Sequence, residues 1–127
     1  MNFFRRKPTI EEKTVPDPTT MEASTVEEYV NRGMLFYSNE KFDQAEADFK
    51  QAMSMDPEAV DPVYGLALAY KGADQADQAI EAFEKVIALL DQGKMDDQPE
   101  RKTMLKRISK SHIKSLEASG AAAQASE

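Results

Sequence analysis

A chain of 127 residues has room for one domain of ordinary size. It contains no cysteine and one histidine, which excludes disulfides, thiolate nucleophiles and a metal site with two histidine ligands from one chain. Acidic side chains outnumber basic ones by 23 to 16, and this acidity argues against a general nucleic-acid-binding protein. Residues that favour helix are abundant and no apolar run approaches the ~20 residues of a membrane span, so we expect a soluble, cytoplasmic, all-α protein. We also expect no cofactor, no metal and no catalytic residue, because the sequence has no phosphate-binding loop, nucleotide fingerprint or calcium loop.

The two ends of the chain lack the features of folded structure. Residues 1–23 contain three prolines and no helical or strand period, which predicts a flexible arm. Near its start, Phe3 and Phe4 precede three cations, a composition that could contact a membrane surface or a partner's groove. Residues 118–127 are small and polar, which predicts a disordered tail. The folded domain is therefore expected at 24–117.

The segment 24–57 has the pattern of two helices joined by a tight polar turn. Ser24 with Glu27 predicts a capping box at the start of the first helix, and Pro57 closes the second. Apolar and small residues recur at steps of three and four in both helices. Those of the first helix are Val26, Tyr29, Val30, Gly33, Phe36 and Tyr37, and those of the second are Phe42, Ala45, Phe49, Ala52 and Met53.

The segment 58–92 repeats this plan. Asp61 and Pro62 predict the N-cap and the first residue of its first helix. The turn is predicted at 72–74, and Gly93 predicts a left-handed residue after the second helix. Acids on both second helices, Asp48 among them, are expected to be solvated.

Shifting the chain by 34 residues aligns Gly33 with Ala67, and also the small and aromatic residues that follow. Small side chains let paired helices approach, and the aromatic rings fill the space between units. The pattern resembles the tetratricopeptide repeat over about residues 26–91, although Tyr29 replaces the usual Trp, Arg32 the usual Leu and Asp91 the closing proline. The residues that carry the resemblance and are expected to pack the repeats are Gly33, Phe36, Ala45, Phe49, Ala52, Pro57, Ala67, Tyr70, Ala79 and Phe83.

A last helix is predicted at 97–117, with an apolar arc and an opposite basic arc. It would cap the end of the two-unit stack. His112 lies on the apolar arc, where a packed histidine is expected. The basic arc has two interpretations, a solvated surface or a docking surface for an acidic partner or anionic lipid. Charge is uneven, since residues 21–97 carry a net charge of −11 whereas residues 99–116 carry +5.

The resemblance implies a non-enzymatic adaptor, scaffold or accessory subunit that binds a protein or peptide on the concave side formed by the first helices. The implied contact residues are Val30, Asn31, Met34, Tyr37, Tyr64, Leu68, Lys71, Lys106, Arg107 and Lys110. Relatives that grip a chaperone's terminal carboxylate use a Lys and two Asn where this chain has Val30, Met34 and Gly65, so that subtype is not expected. Three alternatives remain open: cover of the groove by the N-terminal arm or by residues near the insertion at 92–98, recruitment to a membrane or other anionic surface, and self-association as an assembly factor.

Overall fold

A computed structural model describes residues 17–125, with side chains as far as Gly120. The N-terminal arm predicted at 1–23 lies mostly outside this part of the chain. The described residues form a short 3₁₀ turn, Pro18–Thr20, and five α-helices without a strand. The helices are α1 (Val26–Ser38), α2 (Phe42–Met55), α3 (Val60–Gly72), α4 (Ala76–Asp91) and α5 (Pro99–Ala125). Each helix packs against the next and α1 also contacts α3, which confirms the predicted all-α stack of two helical pairs followed by a fifth helix.

The turns that end α1 and α3 repeat each other in backbone geometry. Glu40 and Asp74, which are 34 residues apart, both have φ of 61°. In each turn the next residue donates its backbone N–H to the carbonyl of Phe36 or Tyr70 at 2.9 Å. A left-handed residue at this position satisfies carbonyls that the helix end leaves without partners. The 34-residue period is therefore a property of the backbone as well as of the sequence.

The start of α1 is a capping box, one residue later than predicted. Thr25 is the N-cap, and its hydroxyl accepts from the Glu28 N–H at 3.1 Å. The Glu28 carboxylate accepts in return from the backbone N–H groups of Ser24 and Thr25 and from the Ser24 hydroxyl. These hydrogen bonds lower the pKa of Glu28, the backbone N–H of Ser24 contributing most. The predicted pair of Ser24 with Glu27 was wrong because the two adjacent hydroxyl residues can both serve as caps.

The third helix begins before the predicted residue. Its first residue is Val60 and its N-cap is Ala59, which makes no side-chain hydrogen bond to the helix. Asp61 and Pro62 lie inside the first turn, where the N–H that proline lacks has no intrahelical partner. The prediction of Asp61 as the N-cap was therefore wrong. At the other end of this pair, Gly93 has φ of +95°, which confirms the predicted left-handed residue after α4.

The last helix is longer than predicted. It begins at Pro99 and continues to Ala125, so residues 118–125 are helical where a disordered tail was expected. Alanine has the highest intrinsic helix propensity, and five of these eight residues are alanine. The last two residues of the predicted tail, 126–127, lie outside the described part of the chain.

Two phenylalanines lie at the centre of the core. Phe49 and Phe83 have no exposed surface. A Cβ added at Gly33 would lie 2.8 Å from the Phe49 ring, and one added at Gly65 would lie 2.4 Å from it. The Phe49 ring therefore occupies a space between α1 and α3 that only glycines leave open. Of the other residues predicted to pack the repeats, Pro57 is exposed in the connection to α3. The remaining ones are buried: Phe36, Ala45, Ala52, Ala67, Tyr70 and Ala79.

Candidate functional site

The first turns of α1 and α3 form an open cleft with the start of α5. We call it the N-terminal cleft. Its volume is about 580 Å³, within the range of roughly 300–1,000 Å³ that is usual for binding pockets. Valine side chains from both helices give it an apolar floor, and Glu27, Asn31 and Arg101 supply polar groups at its edges. The cleft is lined by Val26, Glu27, Val30, Asn31, Ala59, Val60, Asp61, Pro62, Met95, Gln98 and Arg101.

Two ion pairs join α3 to the side of the cleft that α5 and the connection before it form. Arg101 of α5 pairs with Asp61 of α3, and Lys94 pairs with Glu58 just before α3. All four side chains are well exposed, so each pair contributes little to stability. Their effect is positional, because they hold Met95 and the first turn of α5 beside the start of α3.

Four further residues extend this surface along α1 and α3. We call them the aromatic strip: Met34, Tyr37, Tyr64 and Leu68. Tyr37, Tyr64 and Leu68 are half-buried against the core, whereas Met34 is 36% exposed. The Tyr64 ring meets Phe83 edge-on with centroids 6.0 Å apart, which fixes its orientation. Burial, with a smaller contribution from Tyr37, raises the pKa of Tyr64.

Lys71 lies at the end of the aromatic strip, and its ammonium group is hydrogen-bonded within the protein. Its Nζ is 2.8 Å from Nδ1 of His112, which connects α3 to α5. The His112 ring stacks on Phe83 with centroids 4.6 Å apart and an interplanar angle of 12°. Burial, followed by the charge of Lys71, lowers the pKa of His112. A neutral imidazole accepts a hydrogen bond from the Lys71 ammonium, so His112 is a packed histidine, as expected.

The three predicted contact residues of α5 do not join this surface. Lys106, Arg107 and Lys110 line a separate shallow depression with Lys102 and Thr103, and none of them lines the N-terminal cleft. Lys106 is directed to α4, where it pairs with Asp91. The sequence prediction extended the pattern of the first helices to α5, but the longer connection at 92–98 lets α5 present other residues, and Arg101 reaches the cleft instead.

Sequence reasoning also missed a buried ion pair in the first repeat. Asp48 is 5% exposed, and its two carboxylate oxygens accept from Nε and Nη2 of Arg32 at 2.8 Å. The hydrogen bond to Asp48 raises the pKa of Arg32, and the third guanidinium nitrogen, Nη1, donates to the Met21 carbonyl at 2.9 Å. The prediction of a solvated Asp48 was wrong because a cation on the apolar side of α1 supplies its partner. The sequence feature that could have indicated this pair is Arg32, which stands where the repeat pattern usually has leucine.

The comparisons with known proteins agree with this geometry. A family model described as Tetratricopeptide repeat matches residues 36–108, more than half of the chain. The chain belongs to the tetratricopeptide repeat family. The match runs from the end of α1 into α5, so it includes the turns and the core residues that repeat. Tetratricopeptide repeats are typically non-catalytic modules that bind other proteins. No curated protein matches the chain.

Residues 17–125 contain neither a candidate membrane span nor a candidate metal site. No helix in this range has the length and apolar character needed to cross a membrane. No group of three or more His, Asp or Glu side chains in the same range is arranged to hold a metal ion.

Proposed function

We propose that this tetratricopeptide repeat protein is a non-enzymatic adaptor or accessory subunit that binds an extended segment of another protein. The segment would lie on the N-terminal cleft and continue over the aromatic strip. The observation that carries the proposal is the continuity of these two features on α1 and α3. Val30 and Asn31 line the cleft, and Met34 and Tyr37 follow on the next turns of the same helix.

The chemistry of this surface favours a partner with apolar side chains. Tyrosines give large contact areas at low entropic cost because only two side-chain torsions need to be fixed. Met34 adapts its shape to different partners because its side chain is unbranched and flexible. The tyrosines are held by the core before any partner arrives, so binding would not have to order them. We expect two or three apolar anchors in the bound segment.

The polar groups around the cleft add orientation to this contact. Glu27 has no ion-pair partner among the residues that the structure describes, so it is available to a cation or an N–H of the partner. Arg101 is satisfied by Asp61 and would contribute mainly its aliphatic part. The carboxylate clamp of chaperone-binding relatives has no counterpart at Val30, Met34 and Gly65. We therefore propose recognition of an internal segment and not of a chain end.

Selection from a displayed library of random peptides would test the proposal. The test variant is Asn31→Lys with Met34→Lys, since both side chains are exposed and neither replacement should disturb the core. The matched control is Gln51→Lys with Met55→Lys, which makes the same change of charge and shape at exposed positions of α2. Binding of the selected peptides is then measured by fluorescence anisotropy.

We expect the test variant to weaken binding at least about tenfold, as for loss of a central interface contact, and the control to change it less than about twofold. Equal affinities for the wild type and the test variant would contradict the proposed site. Light scattering over a concentration series belongs to the same experiment. A dimer that the test variant abolishes would assign the surface to self-association in place of a foreign partner.

A further inference from the structure

The basic residues of α5 divide into two groups with different surroundings. Three of them pair with carboxylates, and the two pairs that reach α3 and α4 hold the helix against the rest of the stack. These three pairs are Arg101 with Asp61, Lys102 with Asp96, and Lys106 with Asp91. The cations of this group therefore have a structural partner.

The second group, Arg107, Lys110 and Lys114, faces away from the stack. All three side chains are exposed, and within residues 17–120 none of them forms an ion pair. Lys110 is close enough to lower the pKa of Asp91, but only Lys106 contacts that carboxylate. The steps of three and four residues place them on one helical face, spread over about 10 Å along the axis. We call this face the outer basic face.

The shape of this face differs from that of the α1–α3 surface. It lies on the outer side of a single helix and has only shallow depressions, lined mainly by Thr103, Met104, Arg107 and Lys110, with the single carboxylate of Glu100 at the N-terminal end. Met104, 50% exposed, is its one large apolar side chain. A stable protein interface has a buried apolar centre, which this face cannot supply. A surface of closely spaced phosphates needs only cations that reach it.

The charge of the molecule is also polarised in a way that fits a planar anionic partner. Residues 21–97 carry a net charge of −11, whereas residues 99–116 carry +5. An anionic plane would attract α5 and repel the acidic body, so the molecule would meet it with one orientation. The sequence that precedes the described residues adds Phe3 and Phe4 with Arg5, Arg6 and Lys7, a second group of the kind found in interfacial anchors.

We propose that the outer basic face of α5 docks on the anionic headgroups of a lipid bilayer. This contact is independent of the proposed peptide site, which lies on α1 and α3. Docking in this orientation leaves the acidic helices away from the bilayer. Because it rests on exposed charges, it is weak, reversible and sensitive to salt.

Vesicle co-sedimentation of the full chain tests this inference. The lipids are phosphatidylcholine alone and phosphatidylcholine with about one third phosphatidylserine, at about 50 mM and about 300 mM NaCl, which span a large change in electrostatic screening. The test variant replaces Arg107, Lys110 and Lys114 with Gln. The matched control replaces Lys41, Lys50 and Lys85 with Gln, which removes the same charge from exposed positions on the other helices. Circular dichroism melts establish that both variants fold.

We expect the wild type to sediment only with the anionic vesicles and mainly at low salt. The test variant should lose at least about tenfold in partitioning, because each cation near an anionic surface contributes roughly fivefold. The control should lose less than about threefold. Absence of wild-type binding at low salt would overturn the inference, as would equal losses in the two variants or undiminished binding of the test variant. Binding to soluble polyglutamate without binding to vesicles would overturn it too, in favour of an acidic protein partner.

Discussion

The two repeats have the same backbone plan but build their interiors from different chemistry. In the first repeat, α1 and α2 are joined by the ion pair of Arg32 and Asp48. The equivalent positions in the second repeat, 34 residues later, hold Leu66 and Ala82, and both are buried. A charged pair and an apolar pair therefore occupy the same place. The repeat requires complementary shape between its two helices, and either chemistry can supply it.

The environments of the two central phenylalanines differ in a similar way. The ring of Phe49 lies against the backbones of Gly33 and Gly65, which leave room for it. The ring of Phe83 meets other rings, Tyr64 at its edge and His112 stacked on its face. The first ring can tolerate no added side chain nearby, whereas the second is part of a cluster that reaches the surface. Exchanging or removing these features should therefore affect the two repeats differently.

Replacing Arg32 with Leu should have the largest effect on stability. This change places leucine at the position that corresponds to Leu66 in the second repeat. It also leaves the buried Asp48 carboxylate without its partner. Such a loss costs about 3–5 kcal/mol in fully buried pairs, and we expect about 3 kcal/mol here because the arginine is partly exposed. Urea denaturation of the single variant measures it.

The double variant Arg32→Leu with Asp48→Ala completes the exchange. We expect its free energy of unfolding to lie within about 1 kcal/mol of the wild type, since an apolar pair of suitable shape often replaces an ion pair without loss. A double variant as unstable as Arg32→Leu alone would show that the two repeats are not interchangeable here.

Replacing Gly65 with Ala should have the next largest effect. The new Cβ would lie 2.4 Å from Cε1 of Phe49, so a buried ring or a helix must move. We expect a loss of about 1–3 kcal/mol, in the range for overpacked cores. Gly120→Ala is the control, because nothing lies within 4 Å of its added Cβ and alanine favours helix. Equal stability of the two variants in thermal melts would contradict the close packing of the Phe49 ring on Gly65.

Replacing Thr25 with Ala makes the start of α1 resemble that of α3, whose N-cap Ala59 makes no capping hydrogen bond. The change removes the acceptor for the Glu28 N–H. We expect a loss of about 1 kcal/mol, the usual value for an N-cap. Thr25→Ser, which keeps the hydroxyl, should restore most of it, and a loss of the same size in both variants would argue against a capping role.

The stack of His112 on Phe83 should make stability depend on pH. The pKa of His112 is lowered in the folded state, first by burial and then by Lys71. The unfolded chain therefore binds a proton more readily, and stability falls as the pH drops below about 6.5, the ordinary histidine pKa. The slope should appear in melts between about pH 7.5 and about pH 5.5, a window above the ordinary pKa of carboxylates. His112→Phe keeps a ring on Phe83 and should flatten the slope; an unchanged slope would place the titration elsewhere.

The sequence alone was sufficient to predict the stack, because its evidence is local and periodic. The small residues Ala45 and Ala79 and the rings of Phe49 and Phe83 recur at one spacing, and this pattern predicts paired helices whatever lies around them. The fifth helix was also predictable from its apolar arc. Its extension to Ala125 is not evident from the sequence, because small polar residues without large apolar groups are typical of disordered tails as well as of helix ends.

Contacts between separate helices could not be predicted in the same way. The partners Arg32 and Asp48 lie 16 residues apart on different helices, and neither spacing nor period joins them. The role of Gly65 was hidden because the residue 34 positions earlier is Asn31, which has no similar task. The placement of Arg101 at the cleft depends on the connection at 92–98, whose path has no counterpart in the repeat.

The N-terminal cleft and the aromatic strip are proposed to bind a protein segment as one surface. Amide chemical shifts of the ¹⁵N-labelled chain, recorded as a selected peptide is added, test this proposal most directly. We predict that the largest changes fall on Val30, Asn31, Met34, Tyr64 and Leu68, with little change along the outer residues of α2 and α4. Changes confined to α2 and α4, with α1 and α3 unaffected, would place the peptide on a different surface and rule out the proposed site.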